Sequence, residues 1–249
     1  MSAPAIPVRP ASPALAMFFA LLTGATCIGF SGIFVRLAGV GPAAAGFWRM
    51  LFALPVLVAW TALEQRRPTG EKIGRGAFIA VALAGLTFGI DVTLYNAALG
   101  HTTIANASLL GNLSPVGVVL GGWPSRRILG ALMLAVAGAI LLVLPKFIGA
   151  GQVTGNLFGD GLAFGAALSY AAYILAVRRA RDGAGAGYVS LVSSVICAVF
   201  CFVAALALGE QVIPASLQGW FAVAALGLVS HALGQGLITL SLGSYGAGA

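Results

Sequence analysis

Long apolar runs dominate the chain, and polar residues are confined to short gaps between them. Eight runs are long enough, or nearly so, for a helix that crosses the hydrocarbon core of a bilayer, which takes about 20 residues. Their limits are 15–38, 43–63, 75–100, 102–123, 126–145, 157–178, 187–209 and 217–243. The gaps contain turn-forming residues such as Pro42, Pro68 and Pro214, and none is long enough for a second, soluble domain. The pattern predicts an all-α polytopic membrane protein.

The composition excludes a soluble globular protein. Of the 249 residues, 60% are hydrophobic and only 8% are charged, whereas a soluble domain has about 25% charged residues for its polar shell. The 35 glycines lie among apolar residues, where they allow helices to pack closely. The three cysteines have no zinc-ligand spacing, and no phosphate loop or dinucleotide motif is present, so we expect neither a metal nor a cofactor.

The lysines and arginines predict the orientation, because such residues gather in cytoplasmic loops. With the N-terminus inside, ten of the 13 basic residues lie on inner segments and three at outer ends. The inner residues are Arg9, Arg66, Arg67, Lys72, Arg75, Arg126, Arg127, Arg178, Arg179 and Arg181; the outer ones are Arg36, Arg49 and Lys146. We therefore predict a cytoplasmic N-terminus, and we explain the net charge of +7 by topology and not by nucleic-acid binding.

Two parts of the chain are similar at an offset of about 143 residues. The run 217–243 aligns with 74–100, and Leu175–Arg178 aligns with Ile33–Arg36 at an offset of 142. The repeating unit then has five helices, an odd number, so the second copy is inverted in the membrane. Inverted repeats are typical of transporters, with the substrate site at the midplane between them.

This repeat predicts the domain organisation. Residues 1–14 form a cytoplasmic N-terminal tail, 15–145 a first repeat of five transmembrane helices, and 146–249 an incomplete second repeat of three. Two five-helix repeats make ten helices, but only eight runs are present, and the connection at 123–126 is very short. We expect the natural protein to have about 40 further C-terminal residues with two more spans, and further residues at that connection.

Several segments, in their order, resemble the EamA type of the drug/metabolite transporter superfamily. They are GATCIGFSGIFVRLA in the first helix, GFWRMLFALPVLVAW in the second, YNAALGHTTIANASLLGNLSPVGVVLGGW across the third and fourth, and GDGLAFGAALSYAAYILAVRRA at the start of the second repeat. Within the superfamily the chain is most similar to YddG-type exporters of aromatic and other amino acids, although it lacks the usual Gly-Glu pair between helices 4 and 5. The resemblance implies ten helices, a bacterial inner-membrane location and export of small metabolites.

Asp91 is the most informative single residue. It lies about 9 residues from the outer end of the third run, which is about 14 Å deep. A charge at that depth usually faces a cavity or a partner, so Asp91 either binds substrate or satisfies a neighbouring helix. His231 corresponds to Phe88 through the offset and lies at a similar depth. It is a candidate for substrate binding or a proton relay, or it is a neutral side chain that hydrogen-bonds across helices.

Other polar and aromatic side chains surround the proposed midplane, where they must turn away from lipid. The candidate substrate-binding residues are Asp91, Tyr95, Asn96, Asn112, Tyr170, Tyr173, His231 and Gln235, and Asn106 and Thr239 belong to the same polar set. They indicate either a substrate cavity or bonds between helices.

Two further features of the sequence have more than one interpretation. Pro115 frees a backbone carbonyl within the fourth run and Gly117 follows it, so the pair is either a gating hinge or a fixed kink. Arg36 and Arg49, near the outer face, either attract a substrate carboxylate, or extend to lipid headgroups or pair with carbonyls.

The sequence predicts an exporter of small metabolites, namely aromatic or apolar amino acids, that works by alternating access in the lipid bilayer. It leaves the coupling ion and the oligomeric state open. Two alternatives are a transporter for another metabolite class and an intramembrane serine protease that uses Ser31 and His231. The protease interpretation is weak, because Ser31 lies deep in the first helix and no long outer loop forms a water-filled pocket.

Overall fold

A computed structural model describes residues 13–65, 74–114, 126–147 and 155–238. The described residues form helices and no strands. The helices are α1 (Pro13–Gly29), α2 (Ser31–Ala38), α3 (Pro42–Gln65), α4 (Arg75–Ala98), α5 (Ile104–Gly111), α6 (Arg126–Phe147), α7 (Leu157–Arg181), α8 (Ala186–Ala207) and α9 (Leu217–Ala225), and α9 continues into a π-helical segment, Leu226–Gln235, here called the π segment.

Six helical stretches within the described residues are long and apolar enough to cross a membrane. They are Phe18–Ala38, Pro42–Glu64, Arg75–Ala98, Leu157–Arg181, Ala186–Ala207 and Leu217–Ile238. These six agree with the first three and last three predicted runs. Helix α6 lies over the predicted fifth run, whereas α5 covers only the beginning of the fourth, whose later part lies outside the described residues. The total of eight spans and the inverted repeat stay predictions.

The outer surfaces of these helices carry large apolar side chains. Leu83 on α4, Val199 on α8 and Phe221 on α9 are all exposed. A surface of this kind suits lipid, because hydrocarbon imposes no cost on exposed apolar side chains.

Helix α4 lies at the centre of the bundle, with its most extensive contacts to α7 and α8, while α3 packs along α8. Glycine makes the contact between α4 and α8 possible. A Cβ atom at Gly85 would lie 2.6 Å from Ile196 Cβ and 2.8 Å from the Ser193 carbonyl oxygen. A side chain at Gly85 would therefore push the two backbones apart.

Two carboxylates join α3 and α8 at their opposite ends. Glu64, near the end of α3, accepts hydrogen bonds from the backbone N–H groups of Ala186 (2.9 Å) and Gly187 (2.8 Å) at the start of α8. Glu210, just beyond α8, accepts from the N–H groups of Ala43 (3.2 Å) and Ala44 (2.9 Å) at the start of α3. Each carboxylate satisfies donors that a helix N-terminus leaves free and opposes the positive end of the helix dipole.

Two helices depart from regular α geometry beside the bundle centre. The first span is interrupted at Phe30, where α1 ends and α2 begins, and the last span contains the π segment. The π segment packs against α1 and α3. Because irregular backbone at membrane depth is tolerated where it is buried in protein or lines a cavity, these two places direct attention to the space between them.

Candidate functional site

A cavity of about 320 Å³ lies between the first span, α3, α4, α5, α7 and the π segment. Its described lining consists of Ala25, Ile28, Gly29, Ser31, Arg49, Phe88, Asp91, Val92, Tyr95, Ser108, Gly111, Asn112, Tyr170, Gln235 and Ile238. The lining combines one acidic side chain, one basic side chain, aromatic rings and small apolar groups. Such a mixture, at the small end of the usual range of ligand pockets, suits a small amphipathic molecule.

Asp91 lines the cavity from α4 and is half-buried. Tyr95 lies one helical turn further on and faces the same space. The Tyr95 hydroxyl lies 3.0 Å from Ser108 Oγ, and this contact fixes the ring against α5. A carboxyl group and a phenol therefore share one wall of the cavity.

Arg49 faces the cavity from α3 with only 6% of its surface exposed. It lies seven residues after Pro42, about 10 Å along the helix. A side chain buried in this way faces the interior of the bundle and not its outer surface. Its Nε atom is buried without a hydrogen-bond partner, and its Cζ atom lies 5.8 Å from the centroid of the Phe88 ring.

Arg36 has a different environment from Arg49. Its Nη2 atom donates hydrogen bonds to the carbonyl oxygens of Leu99 (3.1 Å) and Thr102 (3.0 Å), in the turn between α4 and α5. Pairing with carbonyls, the second interpretation given to the two arginines, is confirmed for Arg36. This side chain joins the end of α2 to the end of α4.

Aromatic rings of α4 and α7 stack to form one wall of the cavity. Phe88 stacks on Tyr173 with ring centroids 4.6 Å apart, and Tyr173 stacks on Tyr170 at 5.5 Å. The Tyr170 hydroxyl donates to Gln235 Oε1 (3.3 Å), and Gln235 Nε2 donates to the Tyr173 hydroxyl (3.2 Å). The amide of Gln235 thus holds both phenols, and Phe88 and Tyr170 present this rigid wall to the cavity.

The structure separates the predicted site residues into two groups. Asp91, Tyr95, Asn112, Tyr170 and Gln235 line the cavity. Asn96, Tyr173 and His231 are absent from its described lining. Asn96 Nδ2 donates to the carbonyl oxygen of Pro42 (2.9 Å), and Tyr173 lies behind Phe88 and Tyr170. Pro115, Gly117 and Thr239 lie outside the described residues.

His231 lies behind the aromatic wall. Its Nε2 atom is 2.7 Å from Ser194 Oγ on α8, and its ring stacks on Phe88 with centroids 5.5 Å apart. The serine hydrogen-bonded to His231 is therefore Ser194, not Ser31, which lines the cavity. The Ser31–His231 pair that a protease needs is not hydrogen-bonded here.

Arg49 and Phe88 are among the cavity residues that the predicted list of substrate-binding residues omitted. The sequence carried a signal for Arg49, since an arginine near the outer end of a span is a candidate to attract a substrate carboxylate. For Phe88 there was none, because one phenylalanine in an apolar run is indistinguishable from its lipid-facing neighbours.

Comparisons with known proteins agree with this architecture. Residues 14–144, more than half of the chain, match the model of the EamA-like transporter family. A solved crystal structure of another protein shares the fold, with a TM-score of 0.62, 21% sequence identity, and coverage of 92% of this chain and 79% of the other. No curated protein matches the sequence at a significant level.

Proposed function

Because this chain belongs to the EamA-like transporter family, and is thus a multi-pass membrane transporter of small molecules, we propose that it exports aromatic or apolar amino acids by alternating access. The observation that carries the proposal is the cavity of about 320 Å³, in which Asp91 lies beside the rings of Tyr95, Phe88 and Tyr170. An amino acid of this class has an ammonium group for the carboxylate and an apolar side chain for the rings.

The packing of the helices supports two related halves, 15–145 and 146–249. The offset of 143 pairs α3 with α8, and α4 with the last span. Helix α4 packs on α7 and α8, and the last span packs on the counterparts of those helices, namely the first span and α3. Two halves of opposite orientation that rock about a central site would expose it to each side of the membrane in turn.

Hydrogen bonds at one end of the bundle support the proposal that the cavity is closed toward that end. Besides the bonds of Arg36 to the turn between α4 and α5, Thr102 Oγ1 donates to Asp160 Oδ1 (2.7 Å), and the N–H of Asn156 donates to the carbonyl of His101 (2.9 Å). These bonds join the ends of α2, α4 and α7. With a cytoplasmic N-terminus this end is periplasmic, so the bonds must break when the transporter opens outward.

We also propose that the protein lies in the bacterial inner membrane with its N-terminus in the cytoplasm. The excess of lysine and arginine on alternate segments supports a cytoplasmic N-terminus, and the family resemblance supports the bacterial inner membrane. A hinge at Pro115 and Gly117 also stays a proposal.

Flux into proteoliposomes tests the function directly. The purified protein is reconstituted, and exchange of radiolabelled phenylalanine, tyrosine, tryptophan and leucine is compared with that of a nucleoside, a sugar and an organic cation. We expect saturable exchange of the amino acids. Leu83→Ala, on the exposed face of α4, is the matched control for variants of Asp91 on the same helix. If the protein exchanges only the nucleoside, the sugar or the organic cation, it transports a different class of substrate. If it exchanges none of the compounds, the proposal is overturned.

A further inference from the structure

Arg49 is a buried cation without a partner among the described residues. Its side chain is 6% exposed, its Nε atom has no hydrogen-bond partner, and no ion pair or hydrogen bond joins its guanidinium to another described residue. Within the described part of the chain, its charge lies over the face of the Phe88 ring, whose centroid is 5.8 Å from Cζ. A buried charge is costly unless a partner satisfies it, so Arg49 indicates a group that the described chain itself does not supply.

Asp91 is the complementary group in the same cavity. Arg49 and Asp91 line the same cavity, yet the two side chains form no ion pair within 4.0 Å. Asp91 likewise has no hydrogen bond to a described residue. A molecule that occupies this cavity therefore meets one group of each charge on its walls.

We propose that Arg49 binds the α-carboxylate of the substrate while Asp91 binds its ammonium group, so that the cavity selects zwitterions. This inference rests on the proposed transport of amino acids and adds to it a specificity-determining residue, Arg49. The planar guanidinium can donate two parallel hydrogen bonds to a carboxylate. Its contact with Phe88 fixes its position before the substrate arrives.

The same arrangement explains which related compounds are excluded. An amine without a carboxylate leaves Arg49 unsatisfied, and an acid without an ammonium group leaves Asp91 unsatisfied. Each case costs more than the lost contact, because the remaining charge stays buried without its partner. The substrate side chain then lies toward Tyr170 and Phe88, whose rings accept apolar groups without further polar demands.

Three ligands that share a phenylethyl group test the inference. Binding of L-phenylalanine, 2-phenylethylamine, which lacks the carboxylate, and 3-phenylpropionate, which lacks the ammonium group, is measured by calorimetry on the detergent-purified protein. For the native chain we expect phenylalanine to bind about ten-fold or more tightly than either analogue. Binding of phenylalanine tests the proposed function, and the ratios between the ligands test the role of Arg49.

Variants of Arg49 and of Asp91 should each abolish the preference for phenylalanine over a different analogue. In Arg49→Gln we expect phenylalanine to lose about ten-fold in affinity and to bind no better than 2-phenylethylamine. In Asp91→Asn we expect the same loss of about ten-fold, so that phenylalanine and 3-phenylpropionate bind with equal affinity. Arg179→Gln, which removes an exposed arginine that pairs with Asp182, should leave every ratio unchanged.

A second variant covers the case in which Arg49→Gln does not fold. Arg49→Lys keeps the charge but loses the planar pair of donors, so the preference for phenylalanine over 2-phenylethylamine should fall only part of the way. An unchanged ratio in either folded variant would overturn the inference, even if phenylalanine still binds. A native protein that binds none of the three ligands would overturn the proposed function itself.

Discussion

Glu64 and Glu210 make the same contact at opposite ends of one helix pair. The N–H groups of Ala43 and Ala44 donate to Glu210, and those of Ala186 and Gly187 donate to Glu64. The two donor pairs are separated by 143 residues in the sequence, the offset at which the two halves align. Helices α3 and α8 are therefore joined reciprocally, with one carboxylate at each end of the pair.

We expect Glu64→Gln and Glu210→Gln to destabilise the protein by similar amounts, about 1–2 kcal/mol each. Each change removes the charge that opposes a helix dipole and leaves a weaker acceptor for one of two N–H groups. Thermal unfolding in detergent measures the loss. The control is Asp182→Asn, in an exposed pair with Arg179, which should leave the melting temperature unchanged. If the glutamate variants melt like the native protein, the two contacts do not hold α3 and α8 together.

Gly85→Ala should destabilise the bundle by about 1–3 kcal/mol, because the new methyl group would meet Ile196 and the Ser193 carbonyl on α8. Gly76→Ala provides the matched control on the same helix, since nothing lies within 4 Å of a Cβ atom there. That substitution should be neutral or stabilising, because alanine is the better helix former. Equal melting temperatures for the two variants would contradict the close packing of α4 on α8.

Asp91→Asn should lower amino-acid exchange in proteoliposomes about ten-fold or more while the melting temperature changes little. The reason is that Asp91 faces the cavity and bonds to no described residue, so its charge serves a ligand and not a neighbouring helix. Exchange and thermal unfolding are measured on the same preparation. Intact transport, or a protein that no longer folds, would assign Asp91 a structural role.

Labelling from either side of the membrane should place Ala215 outside and Asp182 inside. Both positions are exposed and lie between spans, with Ala215 before α9 and Asp182 directly after α7. Under the proposed topology, an impermeant maleimide applied from the periplasm should label Ala215→Cys but not Asp182→Cys. The native chain supplies the background, since Cys197 and Cys201 are buried and Cys27 is half-buried. The reverse pattern would refute the cytoplasmic N-terminus.

The positions of the helices along the chain could be predicted from the sequence. Which face of each helix points to the cavity could not. The six spans agree with runs of apolar residues, because the bilayer demands such runs whatever their neighbours are. Asn96 and Tyr95 are adjacent in the sequence, but Tyr95 faces the cavity while Asn96 bonds to Pro42 at the start of α3. Which of two polar neighbours faces the substrate depends on the rotation of α4 about its axis, which packing decides.

By itself, the sequence determined that this protein lies in a membrane. It also determined the limits of most spans and that Asp91 needs an unusual environment. The reason is that the cost of polar groups in hydrocarbon applies to each segment separately. Only the tertiary structure decided that Arg49 faces the same cavity as Asp91, that His231 bonds to Ser194, and that Gln235 holds two tyrosines of α7. These relationships join residues far apart in the chain. They arise from the packing of small residues such as Gly85, which sets how closely the helices approach and which side chains meet.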